Sequence, residues 1–143
     1  MANNYNYVRG RLDPQDYAKD TTTTVIDIGD MVQADSDGLL ALAATATDNL
    51  AFRGVAITAS PAGSSATVRV AMANADSQWD FALDTTTTVK VGYTLKISGD
   101  SQVLAYDSGG TDTIAICTKA ATDATTVRCK FKVPGAYLGD TSA

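Results

Sequence analysis

Asp35-Ser36-Asp37-Gly38 is the segment whose carboxylate spacing comes nearest to cation chemistry. A calcium loop sets oxygen ligands at alternate positions and closes on a bidentate Glu. Here the third acidic position and the closing Glu are missing, so the segment reads as an Asp-rich turn. Ser108-Gly109-Gly110 is the nearest thing to a phosphate cradle, but no Lys follows it and no helix is expected behind it. Cys117 and Cys129 lie symmetrically about Asp123 in an expected hairpin, so they could face each other. Without further Cys or His they form no metal motif. They read as buried, reduced thiols, because free Cys packs as a small hydrophobe and cytosolic disulfides are rare. Nucleophilic catalysis would need a base beside a Ser or Cys. The chain has no His, and all 16 of its acidic residues are Asp. That leaves only Asp and Lys as bases, and no pair of them stands out. Trp79 reads as core or interface. The expectation is no enzyme, no metal and no cofactor.

The elements that must carry these residues read as strands. Glu, a good helix former, is absent, while 20 residues are Thr, whose stiff χ1 suits strands. Met31–Ala34 and Leu39–Ala43 flank the Asp-rich turn as a hairpin. Phe52–Thr58 and Thr67–Ala73 flank the cluster at 60–63. Val68, Val70 and Met72 alternate with Thr67, Arg69 and Ala71, giving one buried and one wet face. Trp79–Leu83 starts the bridge between two similar halves, and later strands are expected at 89–91, 93–97, 102–106, 113–118 and 125–133. In the last, Val127, Cys129, Phe131 and Val133 face one way, and Thr126, Arg128, Lys130 and Lys132 the other. Pro134 ends it. Ala-rich 39–50 allows at most a short helical turn.

The chain also repeats itself. Residues 21–42 read TTTTVIDIGDMVQADSDGLLAL and 85–106 read TTTTVKVGYTLKISGDSQVLAY. Val55-Ala56-Ile57 echoes Ile114-Ala115-Ile116, and Thr67-Val68-Arg69-Val70 echoes Thr126-Val127-Arg128-Cys129. Two copies make a duplicated β module, since stacked arrays usually need three or more units. The expected fold is all-β: a small β-barrel or β-tulip-like domain over 21–134, built from similar halves at about 21–72 and 85–133. A tail follows at 135–143.

Residues 1–20 differ from the rest. They are polar, without steady period, and carry Tyr5, Tyr7 and Tyr17 with two of the five arginines, Arg9 and Arg11. They read as an extended N-terminal arm, whose twenty residues reach up to ~65 Å. Ordering such a segment costs roughly 1–2 kcal/mol per residue, so it must find contacts outside its own domain. The three tyrosines are the candidate anchors and the two arginines the polar clamps. Deleting 2–19 is then expected to leave a folded domain. The net charge of −5 disfavours a nucleic-acid or membrane partner, since counterion release needs clustered Lys and Arg. No apolar run reaches the ~18 residues of a span, and the start has no signal-peptide core. Synthesis in a bacterial cytoplasm follows as the expectation.

The order of motifs resembles a known family. Gly29-Asp30-Met31-Val32 is followed by Gly54-Val55-Ala56, a Pro61-Ala62-Gly63 turn and Val68-Arg69-Val70-Ala71. Trp79–Leu83, Gly92-Tyr93-Thr94-Leu95-Lys96-Ile97, Ile114-Ala115-Ile116 and Thr126–Cys129 repeat the round. Over about 25–133 this is similar to the small head decoration, or cement, proteins of tailed bacteriophages, although Gly92-Tyr93 stands where they usually repeat Gly-Asp. The resemblance implies a homotrimer on three-fold positions of the expanded capsid, bound to the major capsid protein on the virion's outer surface, with no chemistry. The arm would then add to a neighbouring subunit as a strand. A tail or adhesin-type β module binding a host surface ligand is the alternative.

Overall fold

Thr-rich alternating sequence folds here into strands throughout. The computed structural model describes residues 6–19, 25–35, 38–44, 51–60, 67–74, 76–98, 100–107 and 113–132. Among them there is no helix. The strands are β1 (Tyr7–Gly10), β2 (Pro14–Ala18), β3 (Met31–Ala34), β4 (Leu40–Leu42), β5 (Phe52–Ala56), β6 (Thr67–Met72), β7 (Ser77–Val89), β8 (Thr94–Ser98), β9 (Asp100–Tyr106), β10 (Ala115–Cys117) and β11 (Ala121–Phe131).

Two sheets form. One runs β2-β6-β5-β3-β4; the other runs β7-β11-β10-β8-β9 and carries β1 on the free edge of β7. The second sheet closes into a barrel, because β7 also pairs in parallel with β9 at Ala82↔Val103 and Leu83↔Leu104. The first curls the same way, but its edges meet only at the parallel bridge Lys19↔Leu40.

The two strand orders are the same, position for position. β5 and β10 each lie between the strand after them and the strand that opens their hairpin. Hydrogen bonds fix the match: Gly29 N donates to Ala56 O as Gly92 N donates to Cys117 O, and Ile57 N to Arg69 O as Thr118 N to Arg128 O, all at 2.9 Å. Gly29 and Gly92 share a left-handed backbone, φ 98° and 95°, at the tight turn before β3 and β8. Of the strand expected at 89–91, Val89 ends β7 and the turn before β8 takes the rest. The match also corrects the sequence alignment within one strand. Val55 corresponds to Ile116, two residues beyond Ile114, and a slip of two leaves every side chain on its own face.

The repeat begins earlier than residue 21. β2 pairs with β6 through Asp16↔Arg69 and Tyr17↔Val68, and β7 pairs with β11 through Arg128↔Asp80 and Val127↔Phe81. Pro14–Ala18 is therefore the first copy's counterpart of 78–82. The sequence carries this echo too: Asp16-Tyr17-Ala18-Lys19-Asp20 precedes one Thr run and Asp80-Phe81-Ala82-Leu83-Asp84 the other. The described part of 1–20 is thus not a separate arm. It supplies β2 to one sheet and β1 to the other.

Each half has its own interior. Ile26, Val32, Leu40, Ala56, Val68 and Val70 fill the first, with Tyr17 against them. The first sheet is apolar on its other face as well. There Met31, Phe52, Val55 and Ala71 join Trp79, Phe81, Phe131 and the barrel interior in one cluster. Phe131 is the hub, with its ring 4.8 Å from Phe52, 5.6 Å from Trp79 and 6.0 Å from Phe81.

Gly54 makes the close strand approach in the first sheet possible. Its φ is 147°, and a Cβ there would lie 2.0 Å from the Ala71 carbonyl oxygen. Gly54→Ala is expected to destabilise by at least ~2 kcal/mol through backbone strain and displacement of β6. Urea unfolding measures it, and a loss below ~0.5 kcal/mol would show that the strands separate freely.

Candidate interaction surface

The residues singled out as arm contacts do not converge. Tyr5 lies outside the described residues. Tyr7, on β1, is half-buried and meets Trp79 edge-on at 5.6 Å, while its hydroxyl donates to Gly10 O. Tyr17, on β2, packs against the first interior, and its hydroxyl donates to the Met72 sulfur at 3.6 Å. These two tyrosines therefore stand in different halves of their own chain. Arg9 is exposed, opposite Gln78 on β7. Arg11 meets Asp76 at 3.2 Å in an exposed pair of little energetic weight.

Two further ion pairs reproduce each other across the duplication. Arg69 binds Asp16 through Nε at 2.9 Å, and Arg128 binds Asp80 through Nε and Nη2, both at 2.9 Å. The Arg69 hydrogen bond holds the Asp16 carboxyl below its ordinary range. Each pair bridges the first and second strands of its five-strand order, so it fixes register more than it adds stability.

Cys117 and Cys129 are opposed in the β10–β11 ladder, and both are free and buried. Cys117 donates to Lys119 O at 3.2 Å. Burial raises both thiols above their ordinary pKa, most strongly Cys129, where Asp80 and Cys117 add to it. Raised pKa and burial make them poor nucleophiles. Cys129 fills the place of Val70, so Cys129→Val is expected to cost under ~1.5 kcal/mol, checked by thermal unfolding.

A cleft separates the halves where Asp27, Asp30 and Leu42 face Ser101, Gln102 and Val103. Asp30 is 5% exposed. It accepts from Ser101 Oγ at 2.9 Å, Gln102 Nε2 at 2.8 Å and its neighbour Asp27 N at 2.8 Å. A buried carboxylate with three donors is satisfied, and this one latches the first sheet to the barrel. No group of three His, Cys, Asp or Glu that could hold a metal occurs among the described residues.

Three large apolar residues are exposed among the described residues: Val25, at 47% in the first half, and Tyr106 and Val91 on the barrel. Tyr93, the counterpart of Asp30, stacks on Tyr106 at 4.3 Å and 16°, and Tyr106 is 41% exposed. Val91, in the adjoining turn, is 67% exposed. Arg128 and Lys130 on the outside of β11, and Lys132 just beyond its end, alternate with buried Val127, Cys129 and Phe131. The alternation on β11 was legible; the tyrosine stack was not, because its partners are thirteen residues apart and meet only through the β8–β9 register.

No protein-family model and no curated protein sequence matches this chain. Among solved structures it is similar to the N base of head fiber gp8.5 of bacteriophage phi29. The TM-score is 0.54 at 13% identity, over 84% of this chain and 95% of that one. The likeness is one of fold.

Proposed function

We propose that this protein decorates the outer surface of a phage head, binding the major capsid protein as a homotrimer and stabilising the mature shell without catalysis. The observation that supports it most is the likeness to a head-fiber base across nearly all of that chain. The motif resemblance to head decoration proteins points the same way and rests on the sequence alone. A decoration protein stabilises by linkage: it binds the expanded lattice in preference to the immature one, and mass action does the rest. Each trimer needs only modest affinity per subunit, because linked sites raise the effective concentration of one another. A three-fold ring uses a heterologous interface, in which the free edge of β1 can reach the next subunit.

Sedimentation analysis of the purified protein tests the trimer, and quantitative mass spectrometry of purified virions tests the location. A trimer present in many copies per head is expected. A monomer found in one or a few copies per particle would refute the reading. The adhesin alternative is favoured by one observation, the exposed Tyr93–Tyr106 stack, which resembles the aromatic platforms that carry sugars. Binding of the isolated protein to host cells or glycans would select it.

A further inference from the structure

The duplication gives the outer-face residues of β8, β10 and the end of β11 counterparts in the first sheet. Across the first sheet, Ala71, Val55 and Met31 stand in register on β6, β5 and β3, and all three are buried against the barrel. Their counterparts on β11, β10 and β8 are Lys130, Ile116 and Thr94, joined by the same register. Lys132 stands where the first copy has Ala73, and its N–H donates to Ile114 O as that of Ala73 donates to Arg53 O, both at 2.8 Å. Lys96 stands for Gln33, and Lys90, in the turn, for Asp27. The face that is apolar and covered in one copy has become cationic in the other. Five of the chain's six lysines lie in the second copy, and none of their counterparts is Lys.

A face freed from burial needs only polarity to stay soluble, and terminal units of repeat proteins are polar outside for that reason. Polarity has no preferred sign. In a chain of net charge −5 the bland outcome would be Asp. Instead Lys96 on β8, and Lys130 and Lys132 at and just beyond the end of β11, lie half-buried on the outer face, on either side of β10.

We propose that this outer face of β8, β10 and β11 is the surface that meets the shell, and that it docks on an acidic patch of the capsid protein. The inference rests on the head-decoration reading and adds which face is used. Opposite charge would steer and orient the docking of a chain that is acidic elsewhere, so binding should weaken as salt rises.

The test is binding of the full chain to expanded heads lacking it, over a salt series, for the native protein, Lys130→Glu/Lys132→Glu and Lys130→Arg/Lys132→Arg. Circular dichroism and sedimentation confirm that each variant is folded and assembled like the native protein. The Glu pair is expected to lose about tenfold or more in affinity, and the Arg pair to keep both affinity and salt dependence. A merely solubilising face predicts that Glu serves as well as Lys. If the native protein binds heads and the Glu pair binds equally, the face is wrong and the decoration reading stands. If the native protein does not bind heads, both fall. Native binding to duplex DNA or to vesicles of anionic lipid, with none to heads, would assign the lysines to another partner and overturn the proposal. A Glu pair that fails to fold transfers the test to Lys96→Glu, at the far edge of the same face.

Discussion

Replacing Phe131 with alanine is expected to destabilise the protein by ~3–5 kcal/mol, a large part of the 5–15 kcal/mol typical of a whole domain. Phe131 is 1% exposed and touches both halves: Phe52 comes from the first sheet, Trp79 and Phe81 from the barrel. Truncation removes the transfer free energy of the ring and leaves a cavity that three rigid aromatics cannot collapse into. The loss should be cooperative, because one cluster spans both halves. Trp79 is the chain's single tryptophan and lies beside the cavity, so its fluorescence in denaturant reports the change directly. A loss under ~1 kcal/mol would mean that the halves do not share a core.

Deleting residues 2–19 is expected to unfold the first half, the reverse of what a detached arm predicts. β2 contributes five register pairs to β6, from Pro14↔Ala71 to Ala18↔Thr67. It also contributes Tyr17 to the first interior and Asp16 to Arg69. Without it β6 becomes an open edge and the interior opens on one side. The structurally equivalent loss in the barrel would be β7, its longest strand. Deleting 2–12 instead removes β1 and Tyr7 but spares β2, and should leave both sheets formed at lower stability. Amide exchange separates the outcomes: after the longer deletion the amides of β5 and β6 exchange freely, and after the shorter one they stay protected. Protection of β6 in the longer deletion would return 1–20 to the status of an arm.

The barrel strands were legible because alternation is sharp where one face is buried and the other wet, as in Val127 to Phe131. The extent of the repeat was half legible. The Thr runs drew the boundary to residue 21, while the Asp-aromatic-Ala pattern before each run was equally present in the sequence. In the first copy it is disguised, because β2 buries only Tyr17 at all deeply and opens on Pro14, so Pro14–Ala18 has the polar look of a linker. Tyr7 and Tyr17 were read as anchors to a neighbour, but they pack within their own chain; their partners, Trp79 and Met72, lie more than fifty residues away and no local pattern points to them. The apolar outer face of the first sheet, in Phe52-Arg53-Gly54-Val55-Ala56, hid the division into two interiors, since a strand buried on both faces loses its alternation. The lysine face needed the spatial pairing of the copies before its charge could be seen as a departure.

Titration of the purified protein onto expanded heads stripped of it decides whether this chain is a head decoration protein. Saturable binding as trimers, with bound heads surviving heat that disrupts bare ones, is the predicted result. No binding to the shell, together with binding to host cells or glycans, would contradict it.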